Sequence, residues 1–126
     1  MVLAAAIGLL LRPRADQRPG PAPAVITLAR GRVTVEVLNG TRRQGAARTA
    51  TRVLRRSGLD VVFLGNADSL VLSTRVVARR GDSVRARYVA AALGTGVVTI
   101  ETDTFRRVDV SVILGEDFRP KLELHP

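Results

Sequence analysis

The apolar positions of this chain change period several times, and the changes mark its elements. Val33, Val35 and Val37 alternate with Thr34 and Glu36. Successive strand side chains stand on opposite faces, so this stretch predicts a strand with one buried face. Asn39-Gly40, two residues that tolerate positive φ, ends it. From Gly45 to Ser57 the spacing turns helical: Ala46, Ala50, Val53 and Leu54 share a face, and Arg48, Arg52, Arg55 and Arg56 lie mostly off it. Gly58 stands where a left-handed cap closes a helix. Residues 59–64 predict a second strand, apolar on both faces and so suited to the centre of a sheet. After a turn over 65–69, a third strand is expected over 74–78. Asp82 or Ser83 caps a second helix, which carries Ala86, Val89, Ala90 and Leu93 on one face and stops at Gly94. Residues 97–101 predict a fourth strand, and 102–107 a polar connection. Val108, Val110, Val112 and Leu114 alternate with Asp109 and Ser111 in a fifth strand.

The unit strand, Asn39-Gly40, helix, Gly58, strand is echoed by strand, Arg80-Gly81, helix, Gly94, strand. Two such units predict an α+β fold, a two-layer α/β sandwich in the split β-α-β-β-α-β, ferredoxin-like arrangement with an added fifth strand. The folded domain is expected over 33–118, followed by a tail over 119–126. Residues 12–32 hold Pro13, Pro19, Pro21 and Pro23 and predict a semi-extended linker. Residues 2–11 are apolar apart from Gly8, too short to span a bilayer alone, which takes about 20 residues. We read 1–11 as part of a membrane anchor or signal segment whose true start lies upstream. Arg12, Arg14 and Arg18 just after it run against an outward topology unless a more basic segment precedes them.

Hydrophobic residues make up 46% of the chain and aromatics 3%, so Val, Leu, Ile and Ala must build the core. The absence of cysteine excludes disulfides and thiolate metal sites. The net charge of +9 comes from arginine, with Lys121 the one lysine. That charge is spread along the sequence, whereas nucleic-acid binders more often concentrate it on one element. The few aromatics, Phe63, Tyr88, Phe105 and Phe118, are expected mostly in the core, which leaves little for base stacking.

Candidate chemistry is sparse. Gly40 and Gly45 are spaced like phosphate-loop glycines, but Ala46-Ala47 stands where Lys-Ser/Thr is required, so a nucleotide site is not expected. Amides at the start of the first helix, with Arg42 and Arg43 beside them, suit an anion; a plain turn with solvated arginines explains the same residues. The one histidine, His125, lies in the tail. Glu116-Asp117 is expected to be a solvated turn, and Arg80-Gly81-Asp82 a strand exit and helix cap. With no visible nucleophile and base, the chain is not expected to be an enzyme, and no metal or cofactor is implied.

Several stretches resemble the LytR C-terminal domain: Val-Glu-Val-Leu-Asn-Gly-Thr at 35–41, Ser-Gly-Leu-Asp-Val-Val at 57–62, Gly-Asn-Ala-Asp at 65–68, Ala-Ala-Leu-Gly at 91–94 and Val-Asp-Val-Ser-Val-Ile-Leu-Gly-Glu-Asp-Phe at 108–118. Gly45 with its Ala-rich helix, and Thr74 with Val76-Val77, add to the match. This family often follows a LytR-CpsA-Psr transferase domain and also occurs alone behind a membrane anchor, which this chain resembles. The resemblance implies a non-catalytic, membrane-tethered bacterial cell-envelope module facing outward, which binds peptidoglycan, an anionic wall polymer or a wall-assembly protein. The contact surface expected for it is Asn39, Gly40, Thr41, Arg42 and Arg43, with Asn66 and Asp68, meeting carboxylates of peptide stems or phosphates of polymers. The alternative reading is a cytoplasmic basic nucleic-acid-binding domain, whose binding falls steeply with salt.

Overall fold

A computed structural model describes residues 32–120. The anchor or signal segment, nearly all of the linker and most of the tail lie outside the described residues. The elements are β1 (Thr34–Asn39), α1 (Ala46–Arg56), β2 (Asp60–Asn66), β3 (Arg75–Ala78), α2 (Val84–Leu93), β4 (Val97–Ile100) and β5 (Val110–Leu114). They form one mixed sheet in the order β2-β1-β5-β3-β4. β1 runs parallel to β2 and to β5; β3 runs parallel to β4 and antiparallel to β5.

The α+β class, the five strands and the two helices are as the periodicity implies. The strand order differs from the split arrangement. Each β-α-β unit has its two strands side by side, and the added fifth strand sits between the units. β2, expected at the centre, is an edge strand with Val62, Phe63 and Leu64 exposed. The reason is that an apolar run reports affinity for a partner surface and not lateral position. β5, alternating in sequence but buried at Val110, Ser111, Val112 and Leu114, holds the centre.

One face of the sheet is covered by helices. Val35, Val37, Val61, Val76, Ala78, Val110, Val112 and Leu114 pack with Ala46, Ala47, Ala50 and Leu54 of α1 and Ala86, Val89 and Leu93 of α2. Small helix residues let the helices lie close to a valine-rich sheet, where each methylene counts because the interior is close-packed. Leu54 is fully buried, and cutting it to Ala should cost about 2–5 kcal/mol. The Tyr88 hydroxyl donates to the Ser57 carbonyl and ties α2 to the end of α1. Gly58 has φ +84, the left-handed conformation expected after α1. Asp82, not Ser83, supplies the α2 cap contact: its Oδ1 accepts from the Val84 amide at 3.0 Å. The aromatics depart from expectation. Phe118 is buried and Tyr88 half-buried, but Phe63 and Phe105 are exposed.

Candidate functional site

Because β1, β2 and β5 are parallel, Asn39, Asn66 and Leu114 lie in register at one end of the sheet. Carboxyl ends of parallel strands are where such sheets commonly hold ligands. The residues proposed from sequence gather on this rim, and the rim is already bonded to itself. Asn39 Oδ1 accepts from the Thr41 amide at 2.9 Å and the Thr41 hydroxyl at 2.7 Å. Asn39 Nδ2 donates to the Arg43 carbonyl at 3.0 Å, and the Arg43 amide donates to Thr41 Oγ1 at 2.9 Å. The Gly40 amide donates to the Leu114 carbonyl at 2.9 Å. The Arg42 amide donates to Glu116 Oε2 at 2.7 Å, so a carboxylate of the protein sits where an outside anion would bind. Arg43 Nη2 donates to the Phe118 carbonyl at 2.9 Å, and its Nε lies 3.7 Å from Glu116 Oε1. Arg43 therefore serves the fold. The Arg42 side chain is exposed and pairs with no carboxylate among the described residues.

The same rim explains the two signature ends, Val-Leu-Asn-Gly-Thr and Leu-Gly-Glu-Asp-Phe. A Cβ on Gly115 would stand 2.5 Å from the Ser73 carbonyl carbon and 2.7 Å from the Thr74 nitrogen. A Cβ on Gly40 would stand 2.7 Å from the Leu114 carbonyl oxygen. Both glycines allow backbone to lie against backbone. Thr74, fully buried, donates its amide and hydroxyl to Asp117 Oδ1 at 2.9 and 2.6 Å and accepts from the Gly115 amide at 2.9 Å. Glu116 and Asp117, expected to be solvated, are instead the acceptors that join the end of β5 to the β1 loop and to the entry of β3.

Asn66 and Asp68 also border a hollow beyond the rim. A hollow of about 370 Å³ on the sheet face away from the helices is lined by Leu38, Asn66, Asp68, Arg75, Arg79, Arg106 and Ile113, among others. Its floor is apolar and its wall carries guanidinium groups. Beneath it lies Glu36, 5% exposed, which accepts from Arg106 Nη1 at 2.8 and 2.9 Å and from the Ser111 hydroxyl. Arg79 Nε donates to Ser111 Oγ at 3.0 Å. Arg75 Nη2 meets Glu101 Oε2 at 2.9 Å, and Arg79 Nη1 lies 3.7 Å from the other Glu101 oxygen. Two guanidinium groups thus share one half-exposed carboxylate, Arg106 is paired with Glu36, and Asp68 is the one carboxylate in the lining itself. A second hollow, about 180 Å³, brings Asn39 and Asn66 together with Arg48 at the start of α1.

The residues expected from sequence lie on the loop and beside it, and Arg75, Arg79 and Arg106 are not among them. The usable signal was the alternation itself: Glu36 and Leu38 fall on the face opposite Val35 and Val37, as do Ser111 and Ile113 opposite Val110 and Val112. Chemically, the arrangement suits binding of an anionic group with an apolar neighbour. Among the described residues no cluster of His, Asp or Glu suited to a metal ion is found. No helix among them is long and apolar enough to cross a membrane.

A family model described as LytR cell envelope-related transcriptional attenuator matches residues 32–118. A solution structure described as the C-terminal domain of RV0431 is similar at 27% identity, over 67% of this chain and 72% of that one, with a TM-score of 0.45. No curated protein matches the chain.

Proposed function

We propose a function from one premise: the chain belongs to the LytR C-terminal domain family, the family described as LytR cell envelope-related transcriptional attenuator. Association with the cell envelope follows from that membership. The finer reading is ours. The domain is a non-catalytic, outward-facing module, tethered to the membrane through residues 1–11 by way of the 12–32 linker, and it binds an anionic component of the wall. The binding site is the hollow on the open sheet face. The observation that carries this choice is that Arg75 and Arg79 share the single carboxylate of Glu101, whereas the amides of the 40–43 loop are consumed internally. Arg75 and Arg106, each with its side chain 43% exposed, meet the anion; Leu38 and Ile113 pack its apolar portion.

The test is sedimentation of the full chain with purified sacculi. The full chain is expected to pellet with them, and Arg75→Glu to leave it in the supernatant. Sacculi stripped of phosphate polymers separate the two sources of anion: retained binding assigns peptide-stem carboxylates, lost binding assigns polymer phosphates. Failure of the unmodified chain to pellet with either preparation overturns the reading. Topology is read separately by protease treatment of intact spheroplasts, which should cleave residues 33–118 from outside.

A further inference from the structure

We propose that the outer edge of β2, flanked by α1, is a docking strand for an extended segment of a partner protein in which acidic and apolar residues alternate. The proposal concerns a different surface from the wall-binding hollow and does not rest on it.

β2 is the longest strand of the sheet, and it pairs on one side only. Edge strands of soluble proteins are usually protected by charge, proline, brevity or bulges, and the one such device within this strand is the bulge at Val62. Here the strand's one charge is Asp60 at its start, 3.8 Å from Arg32, no proline interrupts it, and Val62, Phe63 and Leu64 are exposed. Phe63 is in register with Glu36 and so stands on the open face, where its ring lies against Gly65. Leu64 is in register with Val37 and stands on the helix face. A bulge at Val62 interrupts the β1–β2 pairing, and Arg55 Nη2 donates to the Val61 carbonyl at 2.8 Å.

That last bond also fixes where α1 lies. Arg55 reaches β2 at Val61, and Arg48 lines a hollow with Leu64, Gly65 and Asn66 at the other end of the strand. Arg48, Arg52 and Arg55 are exposed and follow helical spacing, so they form a row beside the edge. At 1.5 Å rise per residue the row repeats every ~4.5–6 Å. Alternate side chains of an extended strand repeat every ~6.7 Å, close enough for carboxylates on one face to meet the row in turn. The opposite face of the same segment would meet Phe63. No acid occurs between Glu36 and Asp60, so nothing in α1 neutralises the row.

The charge decides between occupants. A second copy pairing through β2 about a two-fold axis would bring two arginine rows together. Residues 1–31 of the chain carry four arginines and one acid, Asp16, which is the wrong complement. An acidic, alternating segment satisfies both the row and the open edge, in the manner of strand addition.

The probe is a labelled synthetic peptide of alternating Glu and Val, titrated with the full chain by fluorescence anisotropy. Saturable binding is expected, weakened by about tenfold or more in Arg48→Glu/Arg52→Glu and in Phe63→Ser, and absent for a Lys/Val peptide. A Glu/Val peptide N-methylated at alternate amides, with unchanged charge, should fail to bind. Equal binding of the N-methylated peptide would reduce the contact to charge alone and overturn the proposal. So would no binding by the full chain, or a concentration-dependent dimer abolished by Phe63→Ser, which would assign the edge to a second copy.

Discussion

The rim at the ends of β1 and β5 and the outer edge of β2 treat their polar groups in opposite ways. On the rim, the amides of 40–43 and the side chains of Thr74, Glu116 and Asp117 are partnered inside the domain. At the β2 edge, strand, arginines and apolar side chains face solvent. A saturated region contributes stability; a region with spare bonding capacity is where a partner can gain free energy. The signature glycines and acids belong to the first kind, so the residues that identify the family hold the domain shut. The surfaces suited to binding lie beside them.

The sharpest break in this contrast is Gly115→Ala. Its new Cβ meets backbone at 2.5–2.8 Å on three atoms, which no rotamer change relieves. We expect a loss of about 3 kcal/mol or more, a fall in Tm on the order of 10–20 °C for a domain of this size, measured by thermal unfolding. Arg106→Ala comes next. It leaves the Glu36 carboxylate, 5% exposed, with Ser111 alone. Removing a partner from a fully buried pair costs about 3–5 kcal/mol; Arg106 is half exposed, so about 2 kcal/mol is expected in urea unfolding. Thr74→Val keeps the shape but strands the Gly115 amide, while Asp117 Oδ1 keeps its bond from the residue 74 amide; the cost is about 1–3 kcal/mol. The smallest effect is Arg42→Ala, within about 0.5 kcal/mol of the unmodified chain, while Arg43→Ala should lose about 1.5–3 kcal/mol through its bonds to the Glu116 and Phe118 carbonyls. Equal losses for the neighbouring arginines would contradict the division between fold and surface.

Local periodicity was a good guide to local structure. Val33, Val35 and Val37 marked β1, the Ala46–Leu54 face marked α1, and Gly58 marked its end. The lateral order of the strands was not legible, because alternation tells which face is buried and says nothing about neighbours. Leu59 to Leu64 looked central because both of its faces are apolar; the sheet instead leaves that strand at an edge. The candidate site was half legible. Asn39, Asn66 and Asp68 do lie around hollows, but Arg75, Arg79 and Arg106 come from β3, the residue after it and the β4–β5 connection, and only the fold brings them to Leu38 and Ile113. Likewise the bonds that Asn39, Thr41 and Arg43 make within the rim depend on distances that the sequence does not show.

The most direct test of the account compares Arg75→Glu with Arg42→Ala in the sedimentation of the full chain with purified sacculi, after thermal unfolding has shown both variants folded. Arg42→Ala is expected to pellet like the unmodified chain, and Arg75→Glu to stay in solution. Retention of Arg75→Glu with loss of Arg42→Ala would return the site to the 39–43 loop and contradict the assignment to the open face.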